Sequence, residues 1–420
     1  MKNRVCFFIA LRYLLGRARE GGRYLRGAAA GIAVSLIPII VTLIVADGMI
    51  RGIVDRYLEL GTGHLQVFNY YESEMLDDAA REIREIDGIR GAWLEQRSMG
   101  ILAGREGRTG ASVRAIDPSF WTDAGSAGYL ETRAGTAVLE SERDMLLGAS
   151  LASAIGAQVG DTIRLMTIRA ASGGRAPRVN AFTVKGIVSS GYHELDALWC
   201  IITLEGGRRI FSPDSSSASI IVKINDPYKD ADDMSYSLYS ALGPGYGVYT
   251  WKELMRSQYS SYVSTRQLLL FIMALIVIVA AVNVSSATSM LVLERQRDIA
   301  VLKVAGADMA GTRGIFLWGS FLTGLCGAII GITLGLLIGV NINHLIRALE
   351  KLLSFCSGLF HGGEVKILDP GFYLETIPII IDWTTVFLIG CFTVLCSCIA
   401  AWIPARRAGK LKPMELIRKY

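Results

Sequence analysis

The sequence predicts an α-helical membrane protein with four transmembrane helices and one large α+β external domain between helices 1 and 2. Three observations lead there. Of 420 residues, 51% are hydrophobic and only 19% are charged, against about a quarter charged in soluble proteins, and the mean hydropathy is +0.39. The apolar excess is gathered into four runs without Asp, Glu, Lys or Arg: Gly27–Ala46, Gln267–Leu293, Gly314–Ile346 and Trp383–Ala405. Each supplies the roughly 20 residues a helix needs to cross a bilayer core. Between the first two runs lies a stretch of ordinary soluble composition, long enough to be a domain.

Basic residues orient the helices. Lys2, Arg4, Arg12, Arg17, Arg19, Arg23 and Arg26 precede the first run against Glu20 alone, and Arg406, Arg407, Lys410, Lys412, Arg418 and Lys419 follow the fourth against Glu415. The loop from Arg347 to Asp382 has three basic and five acidic residues. The positive-inside rule then puts both termini in the cytoplasm. The expected organisation is a cytoplasmic amphipathic helix (1–26), helix 1 (27–50), the external domain with its stalk helices (51–266), helix 2 (267–293) and a cytoplasmic segment (294–313). Helix 3 (314–346), an outer loop (347–382), helix 4 (383–404) and a basic tail (405–420) complete it. The first run is too long for a signal peptide, and no small-x-small cleavage site follows Val45-Ala46-Asp47. Residues 51–266 hold 23 basic against 27 acidic side chains, so the net charge of +5 resides at cytoplasmic helix ends. Anionic lipid headgroups are the matching counter-charge, and no nucleic-acid partner is implied.

In chain order, Val5–Glu20 reads as a helix along the inner membrane surface. Pro38 should kink the first span. Arg51–Leu60 continues that span outward as a stalk. Strands are expected at Leu65–Phe68, Ala92–Leu102, Gly110–Ile116, Thr162–Ile168, Ala181–Ser189, Ala197–Thr203 and Ala218–Ile224. Helices are expected at Glu72–Ile86, Asp144–Ala157, Leu204–Phe211, Lys229–Leu242 and Thr250–Thr265, the last leading into the second span. In the third span Gly327, Gly331, Gly335 and Gly339 recur every four residues, a stripe that lets another helix backbone approach closely. Asn283, Ser285 and Ser286 offer interhelical hydrogen bonds in the second.

Chemistry is sparse. His64, His193, His344 and His361 have no metal-ligand spacing, and no HExxH, paired CxxC or GxSxG occurs. Gly409-Lys410 lacks the upstream glycine and following Ser/Thr of a phosphate-binding loop, so no ATP hydrolysis is expected of this chain. Of seven cysteines only Cys200 and Cys356 fall on the outer side; this is no disulfide framework, though one bridge between them stays open. The segment from Leu293 to Ala307 is charged at one end and apolar at Ile299, Val301 and Leu302. It is too apolar for a free loop and too short to fold alone, so it should dock on something.

That segment, Glu294-Arg295-Gln296-Arg297-Asp298-Ile299-Ala300-Val301-Leu302-Lys303-Val304-Ala305-Gly306-Ala307, resembles the E-R-x-R-E-I-A-V-L-R-x-L-G-A element of the FtsX/MacB-like permease family of ABC exporters. Phe8-Ile9-Ala10-Leu11-Arg12-Tyr13-Leu14, Met145-Leu146-Leu147-Gly148 with Gly160-Asp161-Thr162-Ile163, and the tail from Ile377-Pro378 through Ile403-Pro404-Ala405-Arg406-Arg407 to Lys412-Pro413-Met414-Glu415-Leu416 resemble its lipoprotein-releasing (LolC/LolE-type) branch. The resemblance is collinear from end to end.

It implies a permease that pairs with a second copy or a paralogue and binds a separate ABC ATPase, which carries the ATP and Mg; no cofactor is implied in this chain. Glu294, Arg297, Ile299, Leu302, Lys303 and Gly306 match the coupling helix that meets the ATPase, with Asp298 and Lys303 replacing the usual Glu and Arg. The implied substrate is a lipoprotein entering from the membrane, with Pro38, Ile40, Leu43, Phe271 and Met273 as candidate cavity walls. The stretch Arg169–Asn180, with Arg175, Pro177 and Arg178, resembles in place a hairpin that recruits a periplasmic lipoprotein carrier, though in shortened form. A bacterial inner-membrane location follows from the same resemblance. Two alternatives stay open: a MacB-like exporter of periplasmic drugs, peptides or toxins, which usually has an ATPase fused ahead of the permease, and an FtsX-like transmitter that signals without transporting, generally with a smaller external domain.

Overall fold

A computed structural model describes residues 3–15, 22–70, 76–171, 174–211, 217–359, 374 and 376–410. The chain divides into a helical unit (Met1–Gly48, Tyr262–Val365, Ile377–Tyr420) and an α+β unit (Met49–Ser261, Lys366–Thr376). In chain order the elements are α1 (Asn3–Leu15), α2 (Gly22–Arg56), a π-helical turn (Tyr57–Thr62), β1 (Leu65–Asn69), α3 (Leu76–Arg84), β2 (Ile89–Ala103), β3 (Arg108–Ile116), α4 (Ser119–Thr122), α5 (Ala124–Tyr129), β4 (Glu131–Gly135), β5 (Asp144–Gly148) and α6 (Ala149–Ile155). There follow β6 (Thr162–Ala171), β7 (Gly174–Ser189), α7 (His193–Asp196), β8 (Trp199–Thr203), α8 (Leu204–Ile210), β9 (Ser217–Ile224), α9 (Ala231–Leu242), β10 (Tyr246–Thr250) and α10 (Trp251–Leu254). The remainder is α11 (Arg256–Glu294), α12 (Gln296–Val304), α13 (Met309–Val340), α14 (Ile342–Leu359) and α15 (Trp383–Lys410). Among the described residues four helical runs are long and apolar enough to cross a membrane: Arg23–Thr62, Arg256–Glu294, Met309–Val340 and Trp383–Lys410.

In the helical unit the glycine stripe of α13 lies on α2. A Cβ at Gly327 would stand 2.8 Å from the Ala29 carbonyl, one at Gly331 would stand 2.8 Å from Leu36 Cβ, and one at Gly335 would stand 2.8 Å from Ile40 Cβ. Gly339 meets Ile44 in the same way. Bare backbone thus faces the Ile and Leu side chains of α2, which interlock with Met273 and Val277 of α11 and Val386 of α15 in one apolar cluster. Thr288 of α11 and Ser320 of α13 share a hydrogen bond at 3.0 Å. A second cluster joins Ala10 and Leu14 of α1 to Leu25, Leu291, Ile299, Phe316 and Ala405. Helix α1 packs edge-on against α13, with the Phe7 and Trp318 rings 5.3 Å apart.

Two sequence expectations about this unit need correcting. The third long helix stops at Val340, short of Ile346. The loop expected from Arg347 begins as helix α14, which carries Arg347, Glu350 and Lys351 on one side and Leu345, Leu349 and Leu352 on the other. Charges ended the apolar run there, but not the helical period. Asn343 of α14 holds the chain ahead of α15 through paired hydrogen bonds with the Ile377 carbonyl (2.9 Å) and N–H (3.1 Å).

In the α+β unit, six strands close a ring in the order β2-β3-β8-β5-β7-β6 and back to β2; the β3–β8 and β5–β7 pairs are parallel, the others antiparallel. Closure leaves no free edge where the ring strands pair on both sides, and the β6–β7 pair runs on beyond that stretch. Alternate residues point inward: Val113, Met145, Leu147, Ile163, Leu165, Phe182, Val184, Cys200 and Ile202 share one buried cluster, joined by Leu151 and Ile155 of α6. Gly100 lets β6 close on β2, since a Cβ there would stand 2.7 Å from Leu165 Cδ1. Outside the ring the sheet continues from β2 through β9 and β1 to β10. The β1–β10 ladder runs from Leu65↔Thr250 to Asn69↔Tyr246.

The helix expected over Asp144–Ala157 is instead strand β5 followed by α6. Met145 and Leu147 face the ring interior, whereas Leu146 faces the opposite cluster. Five residues with three apolar side chains, Met145, Leu146 and Leu147, are too few for periodicity to separate strand from helix, and tertiary burial decides. Strands β4 and β10 were not expected. Cys200 is a free thiol enclosed in the ring, where burial pushes its pKa up to about 12.

The glycine stripe yields a test. Gly331→Leu should overpack the α2–α13 contact by about 1–3 kcal/mol and lower the thermal midpoint of the detergent-solubilised protein. Gly314→Ala, whose Cβ would lie 3.6 Å from Cys6 Sγ in ordinary contact, should leave the midpoint unchanged.

Candidate functional site

Three places concentrate features that a membrane machine can use. The first is the end of the helical run that begins in α2. This run passes without interruption through Arg56 into the π-helical turn. A helix ends with carbonyls that have no partner in the helix and with the negative pole of its dipole. Here they enter a socket. Ser126 Oγ donates to the Glu59 carbonyl at 3.1 Å, Arg114 to the carbonyls of Leu60 and Gly61 (the latter at 3.1 Å), and Arg97 to Gly61 at 3.2 Å. Arg114 is fully buried and pairs with equally buried Glu95, which Arg97 also holds at 3.0 Å. Burial pushes the Glu95 carboxyl up, but Arg114 and Arg97 prevail and hold it below its ordinary value.

The Glu59 side chain is gripped from three sides. Lys223 Nζ lies at 3.0 Å, Arg90 at 2.8 Å and His64 Nε2 at 3.2 Å. The Ile224 N–H donates to His64 Nδ1 at 2.9 Å, so the ring proton is on Nε2 and points at Glu59. Lys223 is itself buried and also reaches Asp123 (2.9 Å) and Ser126 Oγ (2.6 Å). Sequence reasoning did not find this socket, because its members come from separate elements and are polar positions at no motif spacing.

The second place is α12. A single non-helical residue, Arg295, separates it from α11. At its other end the Gly306 N–H reaches the Lys303 carbonyl (3.1 Å), and the Ala307 N–H reaches that of Leu302 (2.9 Å). This is a Schellman stop, in which Gly306 takes φ +93°. Of the matched residues, Glu294, Arg297 and Gly306 are exposed, as are Val301 and Val304. Ile299 is buried in the helical unit's core, Leu302 is half-buried, and Lys303 donates to the Gly409 carbonyl at 2.7 Å. Ile299 and Lys303 thus hold α12 to its own chain, and the outward apolar face is that of Val301 and Val304.

The third place is the face of α2 and α11. Of the candidate cavity residues, Ile40, Leu43 and Met273 are buried in the interhelical core and Pro38 and Phe271 are exposed. On α2 the exposed stripe is Val34, Pro38 and Thr42; α11 is exposed more broadly, and Leu268, Phe271, Leu275 and Val279 form one stripe of its face. Beside them Arg266 of α11 makes a bidentate pair with Asp47 of α2 (2.8 and 3.1 Å) and reaches Asp382, ahead of α15, at 2.9 Å. One guanidinium therefore ties α2, α11 and the start of α15 together. Arg266 borders an apolar run, which is why spacing gave it no role.

The stretch 169–180 is no loop between strands. Pairing of β6 with β7 continues to Ala171↔Gly174, making one long hairpin. Pro177 and Arg178 are exposed on it, opposite Ile168 and Thr167, while the Arg175 side chain lies outside the described residues. A proline needs a strand position whose N–H has no partner. Here β5 and β4 pair with β7 only from Thr183 onward, leaving Pro177 on a free edge.

Four helical runs long and apolar enough to cross a membrane, together with a separate α+β unit, are the architecture of a multi-pass membrane protein. Residues 27–234 match the MacB-like periplasmic core domain, and residues 270–413 match the FtsX-like permease C-terminal domain. The chain belongs to this FtsX/MacB-like permease family. Over 98% of both chains it is 28% identical to the lipoprotein-releasing system transmembrane protein LolC of Neisseria meningitidis. Over 99% of both it is 22% identical to LolE of Haemophilus influenzae. It also matches an uncharacterized ABC transporter permease of Methanocaldococcus jannaschii, with 26% identity over 56% of this chain and 55% of that one.

Glu95→Gln leaves Arg114 as an uncompensated buried cation and should cost about 3–5 kcal/mol, read by denaturant unfolding. Arg90→Gln, at a site whose side chain is 30% exposed, should cost about 1 kcal/mol or less.

Proposed function

We propose that this chain is the permease subunit of an inner-membrane ABC transporter that releases lipoproteins from the outer leaflet, driven by an ATPase on a separate chain. End-to-end similarity to LolC and LolE, covering both the helical and the α+β unit, carries this reading. Export of soluble compounds and signalling without transport have weaker support, because the matches to LolC and LolE run the full length of both chains. Both termini and α12 face the cytoplasm, the α+β unit faces the periplasm, and a second copy or a paralogue completes the permease. ATP and Mg bind the ATPase.

The physics of extraction explains why such a permease needs an apolar flank. Each lipid CH₂ buried in the bilayer is worth about 0.8 kcal/mol, so a lipid anchor cannot leave through an aqueous vestibule. It must slide along an apolar wall open to the membrane. The exposed stripes of α2 and α11 supply that wall, and Arg266 fastens their outer ends. The ATPase pushes on α12, whose Arg295 joint and Gly306 stop let it move as one short rod. The helical run of α2 carries the displacement to the socket around Glu59. The β6–β7 hairpin receives the carrier.

The two halves of this mechanism are tested separately. Photo-crosslinkers at Val34, Phe271 and Leu275 should capture lipoprotein without ATP and release it when ATP is added, while Ile40, Leu43 and Met273 should capture none. Capture of an unacylated peptide alone would favour a MacB-like exporter. For coupling, Val301→Glu with Val304→Glu should abolish permease-stimulated ATP hydrolysis and copurification of the ATPase while the permease still inserts. Unchanged stimulation would show that this face is not the contact.

A further inference from the structure

Between α13 and α15 runs an apolar groove of about 700 Å³, lined by Leu317, Trp318 and Phe321 on one side and Ile399, Trp402 and Ile403 on the other. It extends from Gly314 to Phe321, about 10 Å of helix axis at 1.5 Å per residue. That is less than the roughly 15 Å of one leaflet's hydrocarbon. At the Gly314 end stands Arg313. Its guanidinium lies 4.5 Å from the centroid of the Trp402 ring, and its Nε is buried with no hydrogen-bond acceptor among the described residues. One helical turn beyond Trp402 and Ile403, Arg406 and Arg407 are exposed on α15. The groove is therefore apolar along its length and cationic at one end only.

We propose that this groove binds one anionic phospholipid of the cytoplasmic leaflet, with an acyl chain between Trp318 and Trp402 and the phosphate at Arg313. The occupant follows from charge complementarity. A guanidinium donor without an acceptor calls for an anion with oxygen acceptors, and the groove behind it calls for a hydrocarbon chain. A lipid of the inner leaflet presents the two in that order when α13 begins on the cytoplasmic side. The cation–π contact with Trp402 holds the guanidinium at the groove mouth. This site is separate from the α2 and α11 stripes, and a lipid held there would fix the spacing of α13 and α15 next to α12. The leaflet assignment rests on the orientation proposed above, but binding itself does not.

Tryptophan quenching by brominated lipid tests the site. The full-length protein carrying Trp383→Phe is placed in nanodiscs of phosphatidylcholine containing either brominated phosphatidylglycerol or brominated phosphatidylcholine. Symmetric discs make the result independent of orientation, which is read separately by labelling Arg295→Cys from each side of the native membrane. Half-quenching should need about fivefold less brominated phosphatidylglycerol than phosphatidylcholine, the factor expected of one basic residue at a headgroup. Arg313→Gln should erase that preference, Arg313→Lys should retain most of it, and Ile399→Phe, which fills the groove, should reduce quenching by both lipids. Equal quenching by the two lipids, or a preference that survives Arg313→Gln in a variant with unchanged thermal midpoint, would overturn the proposal.

Discussion

The close approach of α13 to α2 is the constraint on which the helical unit depends. Four glycines at four-residue spacing leave no side chain between the two backbones, so the Ile and Leu residues of α2 sit directly on bare helix. In lipid no hydrophobic force drives helices together, and such contacts hold through dispersion and shape. Because α2 is fixed in this way, its opposite side is free to present Val34, Pro38 and Thr42 outward. The same helical run then supplies Asp47 to Arg266 and, within the π-helical turn, Glu59 to Lys223. A single helical run thus packs against α13, exposes an apolar stripe on its other side and ends in the socket around Glu59.

The charges obey a common rule. Each buried ionic group is tied to backbone or to a second element rather than left as an isolated pair. Arg114 joins Glu95 to the carbonyls of Leu60 and Gly61, and Lys223 joins Glu59 to Asp123. Buried pairs are weak evidence for stability, because desolvation offsets attraction. Their value here is positional. A helix end held by seven hydrogen bonds from six residues on several elements cannot rotate or slip by a residue without breaking many of them at once.

Much of the layout was legible in composition. Charge-free runs marked the four long helices, glycine spacing marked a close helix partner, and the family element marked the segment containing α12. Sequence was silent where three dimensions decide. Facing of a short helix could not be read, so Ile299 and Lys303 were grouped with outward residues although they grip their own chain. Cavity walls placed on the first two spans from the family resemblance included Ile40, Leu43 and Met273, which the core absorbs, because in a membrane span the core and the lipid-facing sides are equally apolar. Strand β5 read as a helix because Met and Leu favour helices and five residues show no period. Glu59, Arg114, Lys223 and Arg266 are single charged residues whose partners lie far away in sequence.

The ladder between β1 and β10 has a wider consequence. These two strands are the first and last of the α+β unit, and they lie side by side with Leu65 opposite Thr250. The inserted stretch therefore begins and ends at nearly one point, as a clasped pendant does on a chain. Anything that can be hung from two neighbouring strands could replace it without a change in the helices that bear it. Such a module can be exchanged or enlarged, or can acquire a new hairpin, while the helical half of the protein remains as it was.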